Sequence, residues 1–340
     1  MSIRVAINGF GRIGEMVFRS FLDEPDGVEL VAINDLISLD QIAYLLRFDS
    51  VHRTPEIAIE SGPGWLRAGG REVKIFEERD PAQLPWAELG VDVVVDATGV
   101  FRDRAGLSKH LAAGARKVVL TAPAKADDDV DLTVCLGVNH DRYDPARHQL
   151  VSNASCTTNC LAPVARAIDE AFGLRWGVMS TIHAYTGSQA LIDRADKRLR
   201  RGRAAAVNIV PTSTGAAKAI GLVLPQLDGR LTGMAYRVPV PDGSVVDLTF
   251  QVERPFGDAE SLNAALRAAS EDPSYRGVLS YNTWEIVSSD IVGTPWSSIF
   301  DATLTSVVNE RTARVVAWYD NEFGYGRRVH DLVVLMGQAG

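Results

Sequence analysis

The stretch Ile3-Arg4-Val5-Ala6-Ile7-Asn8-Gly9-Phe10-Gly11-Arg12-Ile13-Gly14 decides how the first half of the chain folds. Residues 3–7 are an apolar strand that runs into G-x-G-x-x-G. Residues 15–22 then have helical spacing, and a second strand, Val28 to Ile33, ends at Asn34-Asp35. Glycines at 9, 11 and 14 permit a tight turn and let a pyrophosphate approach the N-terminus of the helix, where backbone N–H groups and the helix dipole favour an anion. Asp35 lies 21 residues after Gly14 and is placed to accept hydrogen bonds from ribose hydroxyls. A lone glycine pattern carries little information. Between a strand and a helix, with an acid closing the next strand, it predicts a dinucleotide-binding βαβ unit.

The alternation continues outward from there. Residues 40–47 read as a helix, 55–80 as short strands with turns, and Val91 to Gly99 as a buried parallel strand by its β-branched run. A helix over 105–113 follows, with strands at 117–124 and 131–138, the last carrying Cys135 as a core thiol. From residue 175 the pattern changes to longer strands of mixed and antiparallel character, at 175–181, 232–237, 245–252 and 314–318. The fold class expected is α/β: a Rossmann-type dinucleotide-binding domain plus an α+β catalytic domain with a mostly antiparallel or mixed sheet. The first domain is expected over 1–155, completed by a C-terminal helix at 321–340, and the second over 156–320.

Composition bounds the function. The 340 residues are 46% hydrophobic and 23% charged, as in an ordinary soluble globular protein. The net charge of −8 argues against a general nucleic-acid binder, which needs a basic footprint. No apolar run approaches the roughly 20 residues of a membrane span. The first residues read as a strand rather than a secretory signal, and three cysteines suit no disulfide framework. A reducing cytoplasm is therefore the expected compartment. The segment 194–203 carries six cations in ten residues, which reads either as a solvated loop or as an anion site or subunit contact.

The chemistry concentrates in Ser152-Asn153-Ala154-Ser155-Cys156-Thr157-Thr158-Asn159-Cys160, which leads into a helix. A thiol at a helix start is stabilised as thiolate by the exposed N–H groups, so Cys156 is a candidate nucleophile. The plainer possibility is a pair of buried core thiols. A cysteine nucleophile needs a base. His183 ends a strand among small polar residues and suits that task, whereas His52, His110, His140, His148 and His330 read as surface residues. The segment Pro211 to Lys218 is a turn into a helix. With Thr186, Arg201 and Arg237 it suits phosphate binding through charge-assisted hydrogen bonds, unless Ser213 or Thr214 merely caps the helix.

Together Ile7 to Gly14, Ser152 to Cys160, His183-Ala184-Tyr185-Thr186, Thr214 to Lys218 and Trp318 to Tyr325 closely resemble the phosphorylating glyceraldehyde-3-phosphate dehydrogenases from end to end. The resemblance implies that Cys156 attacks an aldehyde and His183 activates the thiol and takes the hydroxyl proton. It implies that hydride passes to NAD and that inorganic phosphate releases an acyl phosphate. Ser155, Thr157, Thr214 and Gly215 match inorganic-phosphate and substrate contacts. Thr186, Arg201 and Arg237 match partners of the substrate's own phosphate. Gly9, Gly11, Arg12, Ile13, Gly14, Asp35, Arg79, Thr121 and Asn321 match cofactor contacts, and no metal is implied. The family is homotetrameric, so 187–203 reads as a loop against a neighbouring subunit. Pairing with His183 is expected to lower the Cys156 pKa from about 8.5.

Three positions depart from the family pattern. Arg194-Ala195 stands where NAD-specific members carry Leu-Pro, which leaves NADP possible beside NAD, although Asp35 would repel a 2′-phosphate. Arg53 replaces a usual glycine, and Asp242-Gly243 an Asn-containing pair. The nearest alternative activities are erythrose-4-phosphate dehydrogenase and an NADP-preferring gluconeogenic form. The first lacks the phosphate-site pattern that Thr186 and Thr214-Gly215 keep.

Overall fold

The computed structural model describes residues 2–25 and 27–338. The chain forms two compact units, one made of residues up to Val134, Asp141–Ala154 and the chain from Gly326 on, the other of Cys135–His140 and Ser155–Tyr325.

In the first unit the expected βαβ start is present as β1 (Ile3–Asn8), α1 (Arg12–Asp23) and β2 (Val28–Asn34). There follow α2 (Leu39–Arg47), the strands β3 (Ile59–Gly62), β4 (Trp65–Ala68) and β5 (Arg71–Phe76), β6 (Val93–Asp96), α3 (Arg104–Ala112), β7 (Lys117–Leu120), β8 (Leu132–Thr133) and β9 (Leu150–Ser152). They make one nine-stranded sheet in the order β3-β4-β5-β2-β1-β6-β7-β9-β8. Every pair from β5 to β8 is parallel. The β3–β4 and β4–β5 pairs are antiparallel. Val93, Val94 and Val95 are fully buried, as a strand covered on both faces requires.

In the second unit α4 (Cys156–Phe172) packs on the sheet strands β10 (Leu174–Ala184), β13 (Ser244–Val252), β15 (Ser298–Asp301) and β17 (Thr312–Tyr319). Also present are β11 (Val210–Ser213), α5 (Ala216–Val223), β12 (Leu231–Val238), α6 (Ala259–Glu271), β14 (Leu279–Asn282) and β16 (Ser306–Asn309). The sheet order is β11-β12-β10-β13-β17-β15-β14, with β16 also on β17. It is mixed: β10–β12 and β14–β15 are parallel and the other pairs antiparallel. Along β13 buried and half-buried residues alternate, so one face of the sheet is covered and the other is not. The last helix, α7, spans Phe323–Gln338. Ala339 and Gly340, the end of the expected helix 321–340, lie outside the described residues.

The structure corrects four readings. The strands expected at 91–99 and 117–124 are only the four-residue β6 and β7, and β8 stops at Thr133. Cys135 is core as expected, but it sits in the turns after β8. His110 is fully buried rather than at the surface. The Trp86 indole N–H, 3.1 Å from its Nδ1, is a donor only, so Nδ1 accepts and Nε2–H donates to Asp96 Oδ2 at 3.1 Å. His330 is equally buried, with Nδ1 2.8 Å from Ser20 Oγ and its ring edge-on to Phe21. Each is internal because a distant partner satisfies it, which local polarity does not reveal. Arg53 has φ of 65°, in the left-handed region, which is the physical reason a glycine is usual there.

Candidate functional site

The first unit holds a cavity of about 360 Å³ at the carboxyl ends of its parallel strands, lined by Gly9, Gly11, Asp35, Arg79, Thr98 and Phe101 among others. Its floor follows from the glycines. Gly9 has φ of 93°, and a Cβ there would lie 2.5 Å from the Thr98 backbone nitrogen. A Cβ on Gly14 would lie 2.1 Å from the Gly9 carbonyl oxygen, so only glycine lets α1 pack this close to the turn. Gly11 is the N-cap of α1 and has no side chain to cap it. A Cβ there would meet nothing within 4 Å, so the cavity is open at that point. The arrangement fits a dinucleotide pyrophosphate on an uncapped helix N-terminus.

Asp35 is fixed by two backbone N–H groups, Phe10 onto Oδ2 and Ile37 onto Oδ1 at 3.1 Å. Arg12 is turned toward acids of its own unit, pairing with Asp49 and with Glu15 at 3.4 Å. Burial pushes Glu15 up to about 7 despite Arg12 and Arg19. Thr121 follows β7, and its hydroxyl donates to the Asp96 carbonyl at 3.1 Å. It does not line the cavity, and neither do Arg12, Ile13 and Gly14.

The second unit gathers the reactive groups. Ala154, with φ of 54°, turns the chain into α4. Ser155 is its N-cap, and its Oγ accepts from the Thr158 N–H at 3.1 Å. Cys156 is the first helical residue and is half-buried. His183 stands near the end of β10, with Nε2 3.5 Å from Cys156 Sγ. Parallel pairing of β10 with β12 sets Arg237 directly beside His183. Arg237 Nη1 lies 2.7 Å from His183 Nδ1 and donates to the Ala184 carbonyl at 3.0 Å.

Burial opposes charge on both titrating groups. Burial pushes the Cys156 thiol up, partly offset by the Arg237 charge and by hydrogen bonding from Thr157. Burial, then the Arg237 charge, lowers His183 to about 3. The direction is opposite to the expected lowering of Cys156, because burial outweighs the Arg237 charge and the Thr157 hydrogen bonding that favour the thiolate. Cys160, one turn on, is wholly buried, with Sγ 3.7 Å from Ser298 Oγ and from the Ala317 carbonyl. Burial drives its thiol far up. The two cysteines are thus separated by environment.

Around this pair stand the other expected contacts. Thr157 Oγ1 meets the Tyr319 hydroxyl at 2.8 Å. The same hydroxyl meets Thr181 Oγ1 at 2.9 Å, and the Tyr319 ring is edge-on to His183. Thr186 Oγ1 lies 3.1 Å from Ser188 Oγ, which accepts from buried Arg201 Nη2 at 2.7 Å. Thr214 Oγ1 accepts from the Ala216 N–H at 3.2 Å, and Gly215 is the uncapped N-cap of α5. Asn321 lies in this unit, its Oδ1 accepting from Ser244 Oγ at 2.5 Å. Ser244 Oγ also accepts from the Ala184 N–H at 3.1 Å. No hydrogen bond joins Thr186 or Thr214 directly to Cys156 or His183 among the described residues. Sequence reading missed Tyr319 and Ser244; the first lies inside the quoted Trp318 to Tyr325 motif, while the second carries no local signal.

The Asp242-Gly243 departure has a physical content here. Asp242, Asp320 and Glu322 are all buried. Burial and the charges of Asp320 and Glu322 raise Asp242 to about 9, and it hydrogen-bonds Asp320. A protonated carboxyl donates as an asparagine amide does.

A profile described as "Glyceraldehyde 3-phosphate dehydrogenase, NAD binding domain" matches residues 3–104, and one described as the C-terminal domain of the same enzyme matches 155–321. A Streptomyces coelicolor protein named glyceraldehyde-3-phosphate dehydrogenase is 49% identical over 99% of both chains. Glyceraldehyde-3-phosphate dehydrogenase 1 of Streptomyces avermitilis is 52% identical over 99% of both, and the Geobacillus stearothermophilus enzyme 49% over 100% of both. The chain belongs to the glyceraldehyde-3-phosphate dehydrogenase family, a family of NAD-binding oxidoreductases.

Proposed function

We propose that the protein oxidises D-glyceraldehyde 3-phosphate to 1,3-bisphosphoglycerate with inorganic phosphate and NAD, through a covalent adduct on Cys156. The observation that carries this is Cys156 at the first position of α4, 3.5 Å from His183 Nε2, with Arg237 against the same histidine. The sulfur attacks the aldehyde carbon to give a thiohemiacetal. The oxygen that gains charge meets the Cys156 backbone N–H at the start of α4 and the His183 ring. NAD, when bound, accepts the hydride that leaves this carbon. His183 takes the hydroxyl proton as the C=O re-forms, leaving a thioester on Cys156. Inorganic phosphate attacks the thioester carbon, and the sulfur leaves as thiolate.

Arg201 and Arg237, with Thr186, Thr214 and the Gly215 end of α5, are the groups we assign to the two phosphates, since cations and helix N-termini outnumber carboxylates there. Ser155, the N-cap of α4, and Thr157, in its first turn, are assigned to contacts with inorganic phosphate and substrate. Gly9, Gly11, Arg12, Ile13, Gly14, Asp35, Arg79, Thr121 and Asn321 are assigned to the cofactor. In this reading 1–155 with 321–340 is the cofactor domain and 156–320 the catalytic domain. We assign the protein to the cytoplasm, in keeping with three free cysteines. We also infer a homotetramer, supported by Val178 and Met234 exposed on the open sheet face and Leu191, Ile192 and Leu199 exposed on the basic loop. No helix among the described residues is long and apolar enough to cross a membrane.

The test is steady-state assay with glyceraldehyde 3-phosphate and erythrose 4-phosphate, each with NAD and NADP, with and without inorganic phosphate. The reading expects the triose phosphate and NAD to give the highest kcat/KM and the rate to depend on phosphate. A rate unchanged when phosphate and arsenate are both absent would overturn it.

A further inference from the structure

We propose that Asp96 is a positioning residue for the cofactor: a row of buried side chains converging on it fixes two walls of the dinucleotide cavity, and so governs affinity for NAD rather than turnover. The proposal rests on the assignment of that cavity to NAD and is independent of the chemistry at Cys156. Asp96 and His110 are wholly buried, and neither lines the cavity. Strand register builds the row. Asn34, Asn8 and Asp96 are the last residues of β2, β1 and β6, and Asn8 lies opposite Asn34 on one side and Asp96 on the other. Residues opposite one another in neighbouring strands point to the same face of a sheet, so the three side chains stand in line.

The row runs in one direction, set from its ends. At one end the Glu78 N–H donates to Asn34 Oδ1 at 2.8 Å, and Asn34 Nδ2 donates to the Glu78 carbonyl at 2.9 Å. The second Nδ2 proton goes to Asn8 Oδ1 at 2.7 Å, which leaves Asn8 Nδ2 to donate to Asp96 Oδ2 at 3.0 Å. At the other end the Trp86 indole orients His110, whose Nε2–H reaches the same Oδ2 at 3.1 Å. Asp96 Oδ1 accepts from the Thr98 N–H at 3.1 Å and from its hydroxyl at 2.7 Å. Every group facing Asp96 is thus a donor. Asn8 Nδ2 and His110 Nε2, 3.3 Å apart, meet only through its carboxyl.

Both sides of the row carry cavity lining: Glu78 and Arg79 after β5, Thr98, Val100 and Phe101 after β6, with β2 and β1 between those strands in the sheet. The Thr98 hydroxyl also accepts from the Val100 N–H at 3.1 Å, and the Thr98 nitrogen is the atom a Cβ on Gly9 would strike. An apolar side chain would fill the place of Asp96 without the cost of desolvating a carboxylate, but would hold none of these groups. Walls held in advance spare the ligand the cost of ordering them.

Asp96→Asn keeps the size and brings a donor among donors. With its nitrogen toward Asn8 and His110, turning Asn8 over passes the conflict to Asn34, and turning Asn34 over breaks both bonds to Glu78; moving the His110 proton to Nδ1 sets it against the Trp86 N–H. With its nitrogen toward Thr98, the Thr98 N–H loses its acceptor. Amide hydrogen exchange of the protein without NAD, read by mass spectrometry on peptides covering 76–80 and 97–101, is expected to quicken in at least one of the two. Calorimetric titration is expected to give a Kd for NAD raised at least about tenfold. At saturating NAD, kcat stays within about twofold of the parent. Unchanged exchange and Kd overturn this inference alone, as does a kcat that falls as far as affinity does. A parent protein that does not bind NAD overturns the assignment of the cavity and this inference with it. If Asp96→Asn does not fold, a second pair decides: His110→Leu removes the donor to Asp96 and should weaken NAD binding, while His110→Gln keeps a donor and should recover it. Equal affinity in these two variants overturns the proposal.

Discussion

Two helix N-termini, α1 and α4, do opposite things with the same backbone chemistry. Each follows a parallel strand and a left-handed residue, Gly9 with φ of 93° before α1 and Ala154 with φ of 54° before α4. Each ends in exposed N–H groups and the positive end of a helix dipole. They part at the N-cap. Gly11 offers no side chain, so the start of α1 is left to an external anion. Ser155 closes α4 with its own hydroxyl, so its field is spent on the residue it carries, Cys156. In the function proposed above, one side chain thus assigns a helix terminus either to a ligand or to a nucleophile. A third case, α7, is held by a carboxylate, Asp320 Oδ1, which accepts from the Glu322 and Phe323 N–H groups.

The largest way to break this comparison is to add one methyl at the start of α1. Gly14→Ala would set a Cβ 2.1 Å from the Gly9 carbonyl, so strand, turn and helix must separate. Overpacking of this kind costs about 1–3 kcal/mol, and we expect a clear fall in melting temperature together with weakened NAD binding. Gly11→Ala, where no atom lies within 4 Å, should leave melting unchanged and raise only the KM for NAD. Thermal melts and NAD titration of the two variants read this directly. Equal destabilisation by both would refute the division of labour between the glycines.

The α7 terminus responds next, through pH. Asp242 is raised from 3.8 to about 9 in the folded chain, chiefly by burial. Folding therefore takes up a proton between those values, and stability falls as pH climbs from about 4 to about 9. Asp242→Asn keeps a donor toward Asp320 without the proton. Its melting temperature should match the parent near pH 4 and exceed it increasingly up to pH 9. A difference that stays flat with pH would show that Asp242 is already ionised.

How much of this was legible in the sequence varies with the range of the interaction. Gly9, Gly11, Gly14 and Asp35 act within one strand–turn–helix–strand, so spacing alone located their cavity. Cys156 at the helix start was legible for the same reason. The side-by-side placement of His183 and Arg237 was not. It depends on the register of β10 against β12, two strands 54 residues apart whose order in the sheet no local pattern encodes. The buried His110 and His330 were misread because Trp86, Asp96 and Ser20, remote in sequence, supply their partners. The direction in which the Cys156 thiol shifts was misjudged because pairing was weighed without the desolvation that opposes it.

Ser155 offers a finer cut. Ser155→Ala removes the Thr158 cap, which costs about 1 kcal/mol. If the capped terminus serves the thiol, the loss should also alter the pH profile of Cys156 alkylation. Ser155→Asp restores a capping acceptor but sets a charge beside the sulfur. We expect it to recover the melting temperature while raising the apparent thiol pKa. Recovery of both would mean the cap acts on the fold alone.

The smallest expected effect is at Ala154, and it asks whether the turn before α4 needs the strain that Gly9 avoids before α1. A non-glycine residue in the left-handed region costs roughly 1 kcal/mol. Glycine relieves that but loses about 0.5–1 kcal/mol through the greater freedom of the unfolded chain. The two nearly cancel, so Ala154→Gly should change the melting temperature by no more than about a degree or two. Ala154 is buried, and its N–H donates to Ser152 Oγ at 3.1 Å. Its side chain therefore limits how far the turn under Cys156 swings. The discriminating readout is kcat rather than stability: a turn held by that side chain loses rate on substitution at constant melting temperature, while a turn held by the hydrogen bond alone keeps both.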